Sequence, residues 1–282
     1  MIRELEAVEG AVDLRFDNKA IVVTGGTQGV GRATAKLLAE RGARAVAICG
    51  RSADNGNSVA EEIRELGSEA LFVQADLSLP EDCFAVIDRA EEAFGDLGCL
   101  VNCCGCTTRG TLESTTPDLW DYLFNVNVRA PFLLTQRVVP NIRRHGRGGT
   151  IANIGSVAAY GGQPYITAYS AAKAALLTLT KNLANSLRWD KIRVNALNIG
   201  WTATPTEHDL QANYHGYGEN WLESASAAQP FGRLLLPEDI ARALAFLLSD
   251  ESGIMTGSIV DFDQTVVGAV DDNPVGDSIA DA

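Results

Sequence analysis

The chain lacks long apolar runs and an excess of basic residues. In its 282 residues no apolar run reaches the ~18 residues that would suggest a membrane-spanning helix. Its net charge of -13 argues against a nucleic acid or an acidic membrane as partner, because both need a basic surface. Residues 1–16 carry Glu4, Glu6, Glu9 and Asp13 without an apolar centre, so we expect neither a signal peptide nor a membrane anchor. These absences predict a cytoplasmic protein.

The six cysteines do not have the spacing of a secretory disulfide framework. Three lie in or beside apolar segments, where free cysteine behaves as a small hydrophobe: Cys49, Cys83 and Cys99. Cys103, Cys104 and Cys106 are close enough to suggest a metal. However, Cys103 and Cys104 end a predicted strand and should face opposite sides, and no His or fourth Cys stands at ligand spacing. We predict reduced structural thiols and no metal site.

Short β-branched runs alternate with longer amphipathic stretches from Lys19 onward, with no internal repeat and no low-complexity linker. The runs predict strands at Ala20–Thr24, Ala45–Cys49, Ala70–Gln74, Leu100–Cys103, Thr150–Ile154, Arg193–Asn198 and Ser258–Phe262. Helices between them make the strands parallel, with right-handed crossovers. The predicted fold class is α/β: a doubly wound parallel sheet of about seven strands, with helices on both faces.

No composition shift divides the chain, so we predict a single domain over residues 1–282. Residues 1–16 form an N-terminal extension in this scheme. Residues 201–230 interrupt the alternation with polar and aromatic side chains, which indicates a lid over a cleft. Residues 270–282 carry several aspartates and are predicted to be an acidic tail.

The first predicted strand runs directly into a glycine-rich turn, Thr24 to Gly31, and then into a helix that continues to Arg41. Glycines in that position let the backbone approach a pyrophosphate at the positive N-terminal end of the helix. The alternative is a tight turn that serves packing only. The predicted cofactor-binding residues of the turn are Gly25, Gln28, Gly29, Val30 and Gly31.

The end of the second strand bears on the choice between NAD and NADP. An NAD-selective site usually places an acidic side chain there, but this chain has Gly50 followed by Arg51. A guanidinium can pair with the 2′-phosphate of NADP, so the sequence favours NADP(H) over NAD(H). Arg51 could instead stack on adenine or lie in solvent.

Further polar residues follow the third, fourth and fifth strands. Asp76, with Leu77 beside it, would lie near the adenine, or Asp76 could cap the next turn. Asn102 to Gly105 ends the fourth strand at the topological switch point, where open α/β sheets bind ligands. Ser156 follows the fifth strand at the same edge, although a serine there could simply belong to a turn.

Two helical positions also draw attention. Asn127 lies inside an amphipathic helix that begins near Pro117, and an asparagine there needs a reason such as a buried hydrogen bond. Tyr169 and Lys173 stand four residues apart at the start of another helix, so both can point into one cleft. An adjacent cation favours the phenolate and lowers the pKa of tyrosine, which would make the pair an acid/base. A packed ring beside a surface lysine is the alternative.

Together, the Thr24–Gly31 turn, Asn102 to Gly105, Asn127, Ser156 and the pair Tyr169 and Lys173 resemble the short-chain dehydrogenase/reductase family. The resemblance covers nearly the whole chain from Phe16 to Phe262. It implies a Rossmann fold and hydride transfer between a nicotinamide and an alcohol or carbonyl carbon.

The resemblance also implies a role for each matching residue. Tyr169 would be the acid/base, and Lys173 would lower its pKa and hold the nicotinamide ribose. Ser156 would bind the substrate oxygen, and Asn127 would hold a water that links Lys173 to solvent. Relatives are commonly tetramers, so a homotetramer or homodimer is expected, built on the apolar helices of residues 117–144 and 165–187.

The chain departs from the family pattern in two loops. Asn102-Cys103-Cys104-Gly105 stands where Asn-Ala-Gly is usual, which keeps the ends of the turn. Ile199-Gly200 stands where Pro-Gly is usual, so that loop loses a fixed φ. Gly200, Thr202 and Thr204 still match cofactor-contacting positions of relatives.

The predicted lid is rich in aromatic rings, amides and carboxylates. Rings that pack on C–H faces and polar groups that take hydroxyls suit a sugar, polyol or sugar acid. The same rings could pack the lid on the body or line a subunit contact. We predict that four residues contact the substrate: Ser156, Gln163, Trp201 and His208.

Two alternatives stand beside this function. One is a carbonyl reductase for ketoacyl or other ketone substrates. The other is a non-catalytic dinucleotide sensor, against which the retention of Asn127, Ser156, Tyr169 and Lys173 counts. The Tyr-to-Lys spacing of four disfavours the enoyl-reductase branch.

Overall fold

The computed structural model describes residues 14–214 and 218–268, so most of the N-terminal extension and the acidic tail lie outside the described residues. The strands are β1 Ala20–Thr24, β2 Ala45–Gly50, β3 Glu69–Gln74, β4 Cys99–Asn102, β5 Gly149–Ser156, β6 Ile192–Ile199 and β7 Ile259–Phe262. The α-helices are α1 Gly29–Glu40, α2 Ala53–Glu65, α3 Pro80–Phe94, α4 Pro117–Phe124, α5 Ala130–His145, α6 Thr167–Leu187, α7 Pro205–His208, α8 Trp221–Ala227 and α9 Pro237–Leu248.

All strand pairs are parallel, and the sheet order is β3-β2-β1-β4-β5-β6-β7. This confirms the predicted α/β class and the seven strands. The order reverses beside β1, which pairs with β2 on one side and β4 on the other. A crevice therefore opens at the carboxyl ends of β1 and β4, the usual ligand position in such sheets.

The strand ends differ slightly from the predictions. β4 ends at Asn102 rather than at Cys103, because the Cys103 N–H turns back to the Val101 carbonyl at 3.2 Å. β5 extends to Ser156, where Ser156 still pairs with Ile199 of β6. Period-2 patterns do not mark such ends, since a buried parallel strand is apolar on both faces.

Two cores lie on opposite faces of the sheet, as the alternation of β1 shows. Ala20 and Val22 pack with residues of α3, α5 and α6, whereas Ile21 and Val23 pack with residues of α1, α2 and α9. Each face is thus covered by helices. An apolar side chain of this kind contributes about 1.5–3 kcal/mol when buried.

The cysteines follow the same alternation. Cys104 packs against the first core and Cys103 against the second, so the two thiols face opposite sides as predicted. All six cysteines are free. Burial raises the pKa of Cys103 to about 12 and that of Cys104 to about 11, which keeps both as thiols.

The described part of the chain has neither a membrane-spanning helix nor a cluster of metal ligands. Within residues 14–214 and 218–268 no helix has the length and apolar character to span a bilayer. The same residues contain no group of three or more His, Cys, Asp or Glu side chains arranged to hold a metal ion. A metal analysis of the purified protein is the direct test of the predicted absence of metal.

Candidate active site

A cleft of about 1860 Å³ runs along the carboxyl edge of the sheet. Typical pockets for one drug-sized ligand measure about 300–1,000 Å³, so this cleft has room for a dinucleotide and a second small molecule. The glycine-rich turn and Arg51 line one end, which we call the nucleotide end. Tyr169, Trp201 and Glu207 line the other, which we call the alcohol end.

The glycine-rich turn has a conformation that only glycine adopts easily. Gly25 and Gly29 have φ of 64° and 52°, in the left-handed region. A Cβ on Gly25 would stand 2.9 Å from the Cα of Cys104, and one on Gly31 would overlap the Gly25 carbonyl. The predicted residues Gly25, Gln28, Gly29, Val30 and Gly31 all line the cleft.

Helix α1 begins at this turn with its N-terminal amides uncapped. Gln28 precedes the helix and makes no side-chain cap hydrogen bond; its amide donates instead to Thr206 Oγ1 at 2.8 Å. The first turn holds no acidic residue. The N–H groups and positive dipole end therefore suit a pyrophosphate, and the cradle fits a dinucleotide.

The end of β2 leaves no space for an acidic side chain without rearrangement. A Cβ on Gly50 would lie 2.7 Å from Cγ2 and 2.9 Å from Oγ1 of Thr27. Arg51 is exposed and lines the cleft beside Ser52 and Asn55. A guanidinium with a hydroxyl and an amide nearby is a set of donors suited to a phosphate.

The residues after β3 and β4 divide into two groups. Asp76 and Leu77 line the cleft, and Asp76 also forms a local turn, in which its Oδ1 accepts from the Ser78 N–H at 2.9 Å. Gly105 lines the cleft too. Asn102, by contrast, is buried away from it and donates to Asn153 Oδ1 on β5 at 2.8 Å. Its side chain therefore links two strands rather than facing a cofactor.

Tyr169 and Ser156 meet at the centre of the cleft. Burial raises the pKa of Tyr169 to about 12, and a hydrogen bond with Ser156 acts in the opposite direction. Ser156 is also part of a turn, because its Oγ accepts from the Ala158 N–H at 3.2 Å. The pKa of Tyr169 is therefore raised rather than lowered as expected, because burial has the largest effect.

Lys173 lies one turn further along α6 and is 3 % exposed. Its Nζ donates to the Ile154 carbonyl at 2.8 Å and stands 5.7 Å from the centroid of the Tyr169 ring. Burial lowers the pKa of Lys173 to about 8. The pair therefore shares one dry site, and the reading of Lys173 as a surface residue is wrong.

Asn127 sits behind this pair in a π-helical turn, Asn125–Arg129, which interrupts the predicted continuous helix between α4 and α5. π-Bulges of this kind are frequent at functional sites. Its amide donates to the carbonyls of Cys106 at 3.0 Å and Leu123 at 2.9 Å, and its Oδ1 accepts from the Cys106 N–H at 3.2 Å. Fully buried, Asn127 does not line the cleft; it holds the turn that contains Gly105 and Cys106.

Three residues after β6 connect the sheet to the predicted lid. A Cβ on Gly200 would overlap the carboxylate of Asp263, so a larger residue there would require the Asp263 side chain to move. Thr202 forms a parallel bridge with Leu235, and Thr204 caps α7 by accepting from the Glu207 N–H at 3.1 Å. All three predicted cofactor residues line the cleft.

The residues assigned to the substrate separate into those that face the cleft and those that do not. Trp201 and Gln163 line it, as predicted. His208 does not: its Nδ1 accepts from Trp221 Nε1 at 3.0 Å, and its Nε2 lies 3.3 Å from Glu219 Oε2. These contacts direct the His208 ring toward Trp221 and Glu219. Trp221 lines the cleft and also packs in a small hydrophobic cluster separate from the two main cores. Its side chain is 6 % exposed.

Sequence reasoning missed two charged residues of the cleft, Arg109 and Asp263. Asp263 directly follows β7, so the rule that ligands bind at carboxyl ends of strands could have found it. Arg109 has no such signal. Its guanidinium lies 5.1 Å from the centroid of the Tyr165 ring on the rim of the cleft.

The fold and the cleft define a dinucleotide-binding α/β protein with a buried tyrosine–lysine pair beside the place for the nucleotide. Comparison with known proteins agrees with this class. A family model described as enoyl-(acyl carrier protein) reductase matches residues 25–265. The chain therefore belongs to the short-chain dehydrogenase/reductase family.

Similar proteins act on several alcohols and ketones. A probable galactose dehydrogenase, GalD of Rhizobium meliloti, is 36% identical over 257 residues, which cover 89% of this chain and 95% of that protein. The 3-oxoacyl-[acyl-carrier-protein] reductase FabG of Thermotoga maritima is 32% identical, covering 90% of this chain and all of the relative. Among solved structures, L-sorbose reductase of Gluconobacter frateurii, complexed with NADPH and L-sorbose, matches with a TM-score of 0.86 at 29% identity and covers 92% of this chain and 100% of its own.

These matches place the chain among dehydrogenases that act on alcohol or carbonyl groups. It is a nicotinamide-dinucleotide-dependent oxidoreductase.

Proposed function

We propose that this chain is an NADP-preferring dehydrogenase or reductase of a sugar, a polyol or a sugar acid. The observation that carries the proposal is the composition of the alcohol end of the cleft. There, Trp201 and Trp221 line the cleft together with Gln163, Glu207 and Gln211, so the lining contains both rings and hydrogen-bonding groups. Such a lining suits a compound with hydroxyls on one side and C–H groups on the other.

The proton-transfer step is assigned to Tyr169. A bound nicotinamide supplies the hydride acceptor in oxidation and the hydride donor in reduction. In oxidation the phenolate form of Tyr169, which an adjacent cation favours, takes the hydroxyl proton of the alcohol and becomes the phenol. In reduction the phenol of Tyr169 gives its proton to the carbonyl oxygen and becomes the phenolate. Ser156, which hydrogen-bonds Tyr169, orients the reacting oxygen.

Lys173 and Asn127 are assigned supporting roles. The ammonium of Lys173 is fixed by the Ile154 carbonyl and lies close to the tyrosine ring, where its charge favours the phenolate and can hold the nicotinamide ribose. Asn127 acts by positioning the turn at Gly105, whose missing side chain leaves room beside Lys173 Nζ.

The preference for NADP is supported by the end of β2. Thr27 occupies the space into which a side chain at Gly50 would extend, and Arg51 stands at the cleft with Ser52 and Asn55. The similar L-sorbose reductase was solved with NADPH. A cation at this place pairs with a 2′-phosphate and gains nothing comparable from a 2′-hydroxyl.

The second candidate is a carbonyl reductase of ketoacyl or other ketones. Its support is the similarity to FabG over the whole relative. Against it stand the charged and amide groups of the alcohol end, because a long acyl chain needs a more uniformly apolar lining. Against a non-catalytic sensor stand the similar proteins, which are dehydrogenases and reductases, and the buried Tyr169–Lys173 pair, which binding alone would not need.

We also propose a homotetramer or homodimer, built on the helices predicted from the sequence. Trp120 of α4 and Phe132 of α5 are 41% and 40% exposed on one chain, which is apolar surface that a second copy could cover. Light scattering that gives the mass of a monomer would refute this. A cytoplasmic location and a single domain over residues 1–282 remain predictions.

The central experiment follows nicotinamide absorbance with NADP and NAD across sugars, polyols, sugar acids, simple secondary alcohols and hydrophobic ketones. We expect turnover of polyhydroxylated compounds to be fastest, and to fall by at least about 100-fold in Tyr169→Phe, which loses proton transfer. Tyr165→Phe is the matched control, because it removes a phenol at the rim of the cleft. Efficient turnover of hydrophobic ketones alone would refute the substrate class.

Arg51→Ala tests the cofactor preference. Loss of a charge-assisted contact should weaken NADPH binding about 10-fold and leave NADH binding nearly unchanged. Arg64→Ala on α2, which removes a guanidinium paired with Glu61, is the control. An unchanged NADPH affinity in Arg51→Ala, or tighter binding of NADH to the wild type, would contradict the preference.

A further inference from the structure

Building on the proposed function, we propose that Glu207 is the specificity-determining residue of the alcohol end. Its carboxylate accepts a hydrogen bond from a substrate hydroxyl next to the reacting carbon and repels substrates that carry a carboxylate. The substrate class then narrows to neutral sugars and polyols, and sugar acids are disfavoured.

Glu207 is held in a fixed position. Its backbone N–H is bound by Thr204 at the start of α7. Its Oε1 accepts two hydrogen bonds, from Trp201 Nε1 at 2.7 Å and from Gln211 Nε2 at 2.6 Å. Gln211 is 3 % exposed and belongs to the packed part of the lid, whereas Trp201 is 41% exposed at the surface of the cleft. A carboxylate with one anchored oxygen loses little freedom when it binds a ligand.

The carboxylate lines the same cleft as the reacting groups. Glu207, Tyr169 and Ser156 all face this space, and the negative charge of Glu207 helps to raise the pKa of Tyr169. A polyhydroxylated substrate whose reacting oxygen is held by Tyr169 and Ser156 presents its further hydroxyls to a lining that contains Glu207. Charge-assisted hydrogen bonds from hydroxyls are roughly twice as strong as neutral ones, which makes a vicinal diol a better fit than a plain alcohol.

The other charged groups at the alcohol end do not neutralise the negative charge of Glu207. Asp209 and Asp263 line the same space and are also acidic. Lys173 is buried and directed to the Ile154 carbonyl, and Arg109 lies over the Tyr165 ring on the rim. A substrate carboxylate beside Glu207 would meet like charge, which is costly in a partly dry cleft.

Glu207→Gln tests this directly, since the amide keeps the size of the side chain and one acceptor oxygen. The substrates are a neutral hexitol, the matching aldonic acid and an unsubstituted secondary alcohol. We expect kcat/KM to fall about 10-fold for the hexitol, to rise for the aldonic acid, and to stay within about twofold for the plain alcohol. Glu219→Gln is the control in the same lid, because Glu219 is 81% exposed and does not line the cleft.

A pH profile separates specificity from a merely structural role. The groups that act on Tyr169 are Ser156, Glu207, Cys106 and the Lys173 ammonium above its ring. Removal of the Glu207 charge should lower the pKa of Tyr169. The inflection that Tyr169 causes in the pH dependence of kcat/KM for the plain alcohol should then move to lower pH. A loosened lid would leave the pH of that inflection unchanged.

Four outcomes would overturn the inference. An equal loss of kcat/KM on all three substrates in Glu207→Gln would show that Glu207 has only a structural role. If the wild type preferred the aldonic acid and Arg109→Ala lost that preference, Arg109 rather than Glu207 would recognise the substrate. Turnover of the hexitol unchanged by Glu207→Gln would reject the inference and leave the proposed function standing. Wild-type silence on every polyhydroxylated compound would reject both.

Discussion

The two ends of the cleft are built in different ways. The nucleotide end is made of backbone: two glycines in the left-handed region, an uncapped helix and strand ends fixed by the sheet. The alcohol end is made of side chains from α7 and the segments around it, held by hydrogen bonds such as Trp201 to Glu207. The first kind of site accepts the common part of a cofactor, and the second can vary with the substrate without disturbing the fold.

Tyr169 and Lys173 lie between the two ends of the cleft, and their pKa values are set mainly by burial. The same dryness raises the pKa of the tyrosine to about 12 and lowers that of the lysine to about 8. Burial of an ionisable pair costs stability in the native state. The centre of the cleft is therefore where we expect function and stability to conflict most.

Lys173→Met should have the largest effect on turnover. The loss of the ammonium should lower kcat/KM by at least about 100-fold, because Tyr169 then has no adjacent cation. The pKa of Lys173 is about 8 in the folded protein against an ordinary 10.5, so between these values the unfolded chain binds a proton that the native state has released. Stability then rises with pH across this window, and the cost of burying the charge is complete below pH 8.

The same variant should consequently be more stable at pH 7, by about 1 to 3 kcal/mol after the loss of the bond to Ile154. Chemical denaturation of the variant and the wild type at pH 7 and pH 10 measures this difference in the free energy of unfolding. Lys181→Met, on the exposed side of the same helix, should show neither effect. A stability gain that is independent of pH would contradict the assignment to the buried charge.

Gly31→Ala should break the nucleotide end and leave the alcohol end intact. The new Cβ overlaps the Gly25 carbonyl, so the turn must shift. Overpacking of this kind typically costs about 1–3 kcal/mol, and we expect NADPH to bind about 10- to 100-fold more weakly. Fluorescence titration measures the affinity, and circular dichroism checks the fold.

Gly98→Ala is the matched control for that variant. A Cβ at Gly98 would meet nothing closer than 3.9 Å, so nucleotide binding should be unchanged. Equal affinities for Gly31→Ala and wild type would show that the turn tolerates a side chain, contrary to its geometry.

His208→Ala should have the smallest effect on turnover, because His208 faces away from the cleft. Its loss leaves the Trp221 N–H without its acceptor in a buried position, which should lower the free energy of unfolding by about 1–3 kcal/mol. We expect kcat within about twofold of wild type and a modest rise in KM for the substrate. A loss of kcat as large as that of Tyr169→Phe would restore His208 to the reacting site.

Local patterns were enough to find the residues that act through the backbone. Gly25 and Gly31 were predicted from a motif between a strand and a helix, and the structure gives each a steric reason. Local patterns failed where a side chain can turn in two directions. Asn102 has the right place in the chain, yet its amide links β4 to β5. The orientation depends on the register between strands that are far apart in sequence.

The lid shows the same limit. Its composition indicated a polar and aromatic lining, but not that Glu207 would face inward and His208 outward. Arg109 was missed altogether, because nothing near it in the sequence suggests the cleft.

The sequence by itself determined the parallel α/β sheet, the glycine-rich turn and the four-residue spacing of Tyr169 and Lys173, since each depends on neighbours within one or two elements. Only the tertiary structure decided the rest. It buried the Tyr169–Lys173 pair, placed Asn127 in a π-helical turn against Cys106, and brought Glu207 beside Trp201 and Gln211. Burial and charge environment arise from packing between distant segments, and they set the pKa values and the substrate preference that the order of residues leaves open.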